Sequence, residues 1–412
     1  MVAVSLKKKN EVKGIARAAA EYFSTVVPAG QPVFSPELEF YIFSDVRYQS
    51  GLESAGYSVD WDEAPWNSAA DEMPNLGYKL PAHGGYHAVP PRDHLHDLRT
   101  RMLLAIEAAG IEGHYHHHEV GGPGQVEVEI GFGGLVEMAD AVMIMKHIIR
   151  NEAYQAGMTS TFMPKPLFGE AGNGMHVHQY VADNAKSLFW DPDGEHFRLS
   201  ELALNWIGGL LKHAAALLAF TSPSTNSFKR LVPGYEAPIS AFFGLSNRTA
   251  AIRVPAYSIN EREHRMEFRP PDATCTPYFC LAAMTMAGLD GVKHGVDLEA
   301  NAFGPFSENV EQMAPELRAR ITQLPTSLPG ALDALEADHE FLTAGGVFTT
   351  DVIEAWIALK RAEFDDVNAR PRRQDLTPEA RRYRETGSLY VTKTEIYERY
   401  DNRLGGRIGL LV

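Results

Sequence analysis

Five short segments of this 412-residue chain carry ionisable residues at every second position. They are Glu37-x-Glu39, His116-x-His118, Glu127-x-Glu129, His176-x-His178 and Arg265-x-Glu267-x-Arg269. In an extended chain, side chains two apart share a face. Each segment read as a strand therefore puts its charges on one face of a sheet and its apolar groups on the other. An antiparallel sheet with one wet face gives the same alternation. Such a face ordinarily carries Lys, Thr, Ser and Gln, whereas here it is almost pure Glu, His and Arg. The pattern predicts an α+β fold in which a charged sheet face lines a cleft and helices flank the strands.

Between these segments the chain reads as alternating elements. Residues 11–24 predict a helix with Ile15, Ala18, Ala19 and Tyr22 on one side, and 33–43 a strand. Residues 44–82 lack any period and read as a long loop. Gly84 to Tyr86 opens a further strand. Residues 93–110 predict a helix with Asp93 as N-cap and Gly110 just past its end. Strands follow at 111–120 and 124–130, then a helix over 135–156 and a strand over 159–163. Two prolines and a Gly-rich turn lead into His176 and His178. A single helix is expected over 200–220, a loop over 223–238, and strands over 249–254 and 264–269. Helices are expected at 277–292, 314–323, 330–343 and 351–365. The tail from 370 is basic and irregular, with a short strand expected at 388–391. No repeat and no low-complexity segment is present.

The net charge of −15 disfavours broad nucleic-acid or anionic-membrane binding. No apolar run approaches the ~18 residues that span a bilayer. Cys275 and Cys280 are the only cysteines. Their spacing suits neither a metal site nor a disulfide framework, and the N-terminus has no signal-like apolar core, so a reducing cytoplasm is expected.

The chemistry of the shared face is specific. Carboxylates with one histidine favour hard divalent cations such as Mg2+ or Mn2+. The histidine run 114–118 cannot supply one ion with four ligands, because consecutive residues point alternately; it reads as packing, with Glu119 the stronger ligand. The second half of the chain supplies Arg230, Arg248, Arg253, Arg262, Arg265 and Arg269. Metals facing arginines suit phosphoryl transfer, since both offset charge on the transferring group. Neither a P-loop nor a kinase-type Gly loop is present.

Six motifs then coincide in order and spacing: PELEF (36–40), HHHEV…GQVEVE (116–129), TFMPKPLFG…GNGMHVH (161–178), NSFKRLVPGYEAP (226–238), NRTAAIRVP (247–255) and RMEFRPPD (265–272). Together they resemble the catalytic domain of the glutamine synthetase family, the bacterial type I enzymes most. The resemblance implies a curved antiparallel sheet lining an open, bifunnel-like active site wrapped by helices. It assigns residues 1–369 to that domain and 370–412 to an atypical tail. It implies ATP-dependent phosphorylation of the glutamate γ-carboxylate, attack by ammonia, two Mg2+ or Mn2+ ions, and a homo-oligomeric ring.

By position, the resemblance gives Glu39, Glu119 and Glu127 to a first metal. Glu37, His176 and Glu267 go to a second. Arg230, Arg248 and Arg269 with Gly172 grip glutamate, and Arg248 and Arg253 also meet the transferring phosphate. Glu236 belongs to a flap that helps deprotonate ammonium. His178, Arg253, Arg262, Arg265 and Tyr86 face the nucleotide.

Several positions depart from the family pattern. The family places a β-grasp domain ahead of this region, whose Asp completes the neighbouring subunit's ammonium site; the expectation is either a truncated sequence, or another amine site, or a reaction other than glutamine synthesis. Ala171 stands for the usual Asn, Tyr180 for Ser, and Thr276-Pro277-Tyr278 for Asn-Pro-Tyr. Phe303 replaces the tyrosine that some relatives adenylylate. These departures keep two alternatives beside glutamine synthesis: a γ-glutamyl ligase for a larger amine, and a non-catalytic paralogue.

Overall fold

The structure is a computed structural model and describes residues 9–51, 55–68, 76–184, 186–235 and 237–369. Glu236 and the tail from 370, with the strand expected at 388–391, lie outside the described residues.

The chain opens with helix α1 (Lys9–Val26) and the long strand β1 (Gln31–Phe43). Strands β2 (Asp45–Ser50) and β3 (Ala55–Asp60) form a separate antiparallel hairpin. They fall where a continuous loop was expected; residues 52–54 between them lie outside the described set. Neither strand shows clean alternation, because the hairpin stands apart from the main sheet. Gly84 to Tyr86 is turn and irregular backbone instead of a strand. Next come α2 (His96–Ala108), β4 (Gly113–His118), β5 (Gln125–Ile130), β6 (Gly133–Gly134) and α3 (Leu135–Gln155). Asp93 is not the N-cap of α2, which starts after Leu95 without a side-chain cap. Its carboxylate instead forms a buried bidentate pair with Arg99, at 2.8 and 2.6 Å. Gly110 follows the last turn with φ +86°, the left-handed conformation that glycine adopts freely.

Strands β7 (Thr159–Thr161), β8 (Val177–Asp183) and β9 (Lys186–Ser187) follow, then α4 (Glu201–Lys212) and α5 (Ala214–Thr221). The single helix expected over 200–220 breaks at His213 and turns by 73°. There the His213 ring is fixed by Asp338 Oδ2 at 2.8 Å and Asp290 Oδ2 at 2.9 Å. No single described helix is long and apolar enough to cross a membrane. The remainder comprises α6 (Ser227–Arg230), β10 (Ser240–Leu245), β11 (Ala250–Val254), β12 (Met266–Phe268) and α7 (Pro277–His294). It closes with α8 (Pro315–Arg318), α9 (Leu328–Ala337), α10 (Glu340–Thr343) and α11 (Thr350–Asn368).

The main sheet runs β10-β11-β12-β8-β1-β5-β4, with β6, β7 and β9 paired at its margins. It is antiparallel except for β10 and β11, which run parallel. The wholly antiparallel sheet of the sequence reading is corrected at that pair; β10 itself was not foreseen, its residues SAFFGL having no polar alternation. Register carries the charged pattern across the sheet. Glu37 faces Glu129 and Glu39 faces Glu127 between β1 and β5. His178 faces Glu267, and Glu267 faces Arg253. Directly opposed residues share a face, so one stripe of charge crosses five strands.

Behind the stripe lies the apolar core. Leu38, Phe40, Val126 and Val128 are fully buried and belong to one continuous cluster with residues of α1, α3, α4 and α7. Helices α4 and α7 cross at glycines. A Cβ on Gly291 would lie 2.0 Å from the Asn205 carbonyl and 2.6 Å from the Gly209 nitrogen. Neither backbone group can move without shifting a helix. Gly291→Ala is therefore expected to lower unfolding free energy by about 1–3 kcal/mol, read as a fall in the denaturant midpoint at unchanged slope.

Candidate active site

The charged stripe forms the floor of a cleft of about 350 Å3. Of the sequence-predicted residues, Glu37, Glu39, Tyr86, Glu119, Glu127, Gly172, His176, Arg230, Arg248, Arg253 and Arg269 line it. His178 and Glu267 are buried beneath the lining and contact Glu37 and Arg253 respectively. Arg265 sits between the rings of Phe132 and Tyr257, at 5.5 and 5.2 Å, off the lining. Arg262 is exposed and is not a lining residue.

Three sets of acidic and histidine side chains bring ligand atoms within 4.8 Å of one another. The first is Glu37, His176 and Glu267; the second is His117, Glu119 and Glu127; the third is Glu37, Glu127 and Glu129. His176 Nδ1 lies 3.2 Å from Glu37, 3.4 Å from Glu267 and 3.7 Å from Glu39. His176 stands just ahead of β8, yet its carbonyl accepts from the Glu37 N–H at 2.8 Å and keeps the pairing with β1. His176 and His178 both meet Glu37, as i and i+2 residues on one face should.

The histidine run behaves differently from its alternation reading. His116 turns away from the cleft to Arg99 and Thr100, and His118 to Glu63. His117 is the one that faces Glu127 across β4 and β5. Both sets of positions on that strand carry polar side chains, so alternation does not tell its faces apart; the packing expected of the run holds for His116 and His118. Tyr115, on the same parity as His117, donates to Glu129. Glu129, Tyr115, His117, His87, Tyr235 and Tyr257 also line the cleft and were not singled out as site residues. Glu129 was detectable, since it belongs to the Glu127-x-Glu129 alternation.

Electrostatics follow from the crowding. Burial, then the charge of Glu267, pushes Glu37 up to about 8. Burial and Glu119 push Glu39 up to about 7. Burial and Glu37 push Glu129 to about 7 and raise Glu127 well above the ordinary carboxylate range. Glu267 goes the other way. Its burial favours the neutral acid, but Arg269 and Arg253 overcome that and hold it well below the usual range. Burial, with Arg269 next, lowers His176 well below its ordinary value, which favours the neutral imidazole; Arg230 Nη2 lies 3.5 Å from its Nε2. Carboxylate oxygens with a neutral imidazole make a donor set that fits hard divalent cations.

The Gly172 to His176 turn brings backbone to the cleft. A Cβ on Gly172 would lie 2.5 Å from the Pro164 carbonyl and 2.8 Å from Arg230 Cγ, so only glycine fits. The Gly174 N–H donates to Glu39 at 2.6 Å. The Arg230 guanidinium is held by the carbonyls of Pro270 at 2.9 Å and Arg269 at 3.0 Å. Arg248 stacks 5.2 Å over Tyr86. Ala171 lines the cleft, and its carbonyl accepts from buried Tyr41 at 2.8 Å. Tyr180 meets Phe132 edge-on at 5.1 Å.

Residues 12–378 match the family described as glutamine synthetase, catalytic domain. A glutamine synthetase of Streptomyces filamentosus is 45% identical over 360 residues, covering 87% of this chain and 76% of that one. One from Frankia alni is 46% identical over 367 residues, covering 89% of this chain and 76% of the relative. The cryo-EM structure of Plasmodium falciparum glutamine synthetase superposes with a TM-score of 0.79 at 28% identity, over 91% of this chain and 79% of that one. With the large helix-wrapped sheet, the carboxylate and histidine clusters and these relatives in agreement, the chain belongs to the glutamine synthetase family of ligases.

Proposed function

We propose that the chain is an ATP-dependent glutamate–ammonia ligase acting through γ-glutamyl phosphate. The observation that carries this reading is the gathering of Glu37, His176 and Glu267, and of Glu119 and Glu127 with His117, at one cleft that Glu39, Arg230, Arg248, Arg253 and Arg269 also line; Glu39 itself is in neither gathered group. Glu39, Glu119 and Glu127 would hold one divalent ion, Mg2+ or Mn2+, and Glu37, His176 and Glu267 the other. Such ions would supply positive charge that offsets the charge building up in phosphoryl transfer.

The chain's own residues do the rest. Arg230 and Arg269, beside the bare backbone of Gly172, orient the glutamate carboxylate. A γ-carboxylate oxygen attacks the γ-phosphorus of ATP, and the bond to ADP breaks. Arg248 and Arg253 stabilise the negative charge spread over the transferring group. Ammonia then attacks the acyl carbon, phosphate leaves with the bonding electrons, and the excess proton on nitrogen passes to a carboxylate. The resemblance gives Glu236 the deprotonation of ammonium, which supplies the attacking ammonia. His178, Arg265 and Tyr86 serve the nucleotide side, and the same role for Arg262 rests on sequence alone. A cytoplasmic homo-oligomeric ring is part of the same reading.

One observation favours a second reading, a γ-glutamyl ligase for a larger amine. Tyr86, Tyr115 and Tyr257 are exposed rings along the cleft and offer apolar surface to an alkyl substituent. ADP release with glutamate and a panel of amines decides between them. Ammonia is expected to exceed every other amine; a larger amine winning replaces the first reading with the second. No release with any amine, despite Mg-ATP binding, leaves the non-catalytic paralogue.

Glu267→Ala is expected to lower turnover on the order of a thousandfold, measured as amide formed at saturating ATP; near-normal turnover would remove Glu267 from the metal set. The raised carboxyls set a pH dependence. Glu37 and Glu39 bind protons more tightly folded, at about 8 and 7, than at their ordinary 4.5. They stabilise the metal-free protein fully below that ordinary value, and the contribution is lost as pH rises through 7 to 8. The metal-free Tm is expected to fall between about pH 6 and pH 8. Mg2+ is expected to restore it more at the upper end, because coordination requires the ionised carboxylates. Thermal melts with and without Mg2+ check both signs.

A further inference from the structure

Lys165 lies in the Met163-Pro164-Lys165-Pro166 stretch and has no part in the reaction above. It is 6% exposed. Its ammonium sits 3.6 Å from the centre of the Tyr235 ring and donates to the Glu170 carbonyl. Its backbone is clamped by one side chain: the Lys165 N–H donates to Asn226 Oδ1 at 2.6 Å, and its carbonyl accepts from Asn226 Nδ2 at 3.2 Å. Burial pushes the ammonium down to about 8, with the Glu170 carboxylate opposing and Arg230 reinforcing. A desolvated ammonium gains most from a ring face, because water no longer competes for it.

The ring it supports belongs to the cleft. Tyr235 lines it together with Ala171, Gly172 and Arg230, and leans on His83 at 5.8 Å. The Glu170 carboxylate accepts from the N–H groups of His83 at 3.2 Å and Gly122 at 3.3 Å. Lys165 and Glu170 thus tie the loops bearing Tyr235, Tyr86 and Glu119 to one buried point.

We propose that Lys165 is a positioning residue that seats Tyr235 as a wall of the cleft and so shields the acyl phosphate from water. The shielding half rests on the proposed ligase reaction; the seating half does not. Two measurements separate them. Amide hydrogen exchange over residues 231–235 reads the seating without any turnover. The ratio of ADP to amide product reads the shielding, and a simple loss of folded enzyme leaves that ratio unchanged because both products fall together.

Lys165→Met keeps the stem and removes the charge. It is expected to raise exchange over 231–235 roughly tenfold and to raise the ADP-to-amide ratio several-fold. Lys165→Arg, which restores a cation over the ring, is expected to return both towards wild type. Tyr235→Leu is expected to raise the ratio as Lys165→Met does. Unchanged exchange in Lys165→Met overturns the proposal, as does a wild-type ratio in Tyr235→Leu. If Lys165→Met does not fold, Tyr235→Leu alone decides the shielding. Faster exchange in a protein that releases no ADP with glutamate and any amine retains the seating and rejects the ligase reading.

Discussion

The interaction on which this structure depends is the mutual repulsion of carboxylates on one sheet face. Glu37, Glu39, Glu127 and Glu129 are buried side by side on β1 and β5. Removing such charges from water is costly, and like charges in contact add to the cost. The fold meets that cost in two ways. Arg253 and Arg269 keep Glu267 ionised, while burial and crowding favour the neutral acid form of the others. The site is therefore a strained arrangement held by the packing behind it, which is how cation-binding clefts are generally preorganised.

That packing explains the rest of the architecture. The apolar side of the same strands joins the continuous core that reaches α1, α3, α4 and α7. A one-residue slip of β1 against β5 would turn Glu37 and Glu39 into that core. Register is thus fixed by the penalty for burying charge as much as by apolar contact. The close crossing of α4 and α7 at Gly209 and Gly291 and the fixed His213 elbow brace this layer. On the charged side, irregular backbone supplies what strands cannot. The Gly172–Gly174 turn and the Pro270–Pro271 carbonyls hold Arg230 in place.

Much of this was legible in the chain. Where alternation was strict and the face was purely ionisable, the strand and its exposed parity followed: Glu37 with Glu39, Glu127 with Glu129, and His176 with His178 all turned to one side. The reading weakened where both parities were polar. In Gly113–His118 no periodicity distinguishes the faces: the packing read for the run holds at His116 and His118, while Tyr115 and His117 line the cleft. Asp93 has a cap's chemistry, but the buried Arg99 in the first turn of α2 draws it away.

The sequence by itself determined the α+β class, the charged stripe and the family, because two-residue alternation and ordered motifs are local properties of the chain. Tertiary structure alone decided which strands lie beside one another. It also decided the β2–β3 hairpin, the parallel β10–β11 pair and the break at His213. The last two depend on partners far away in sequence: β10 on Gln323 through Ser240, and His213 on Asp290 and Asp338. The carboxylate shifts belong to the same class. They arise from distances between strands, and a strand carries no record of the charge that its neighbour will bring.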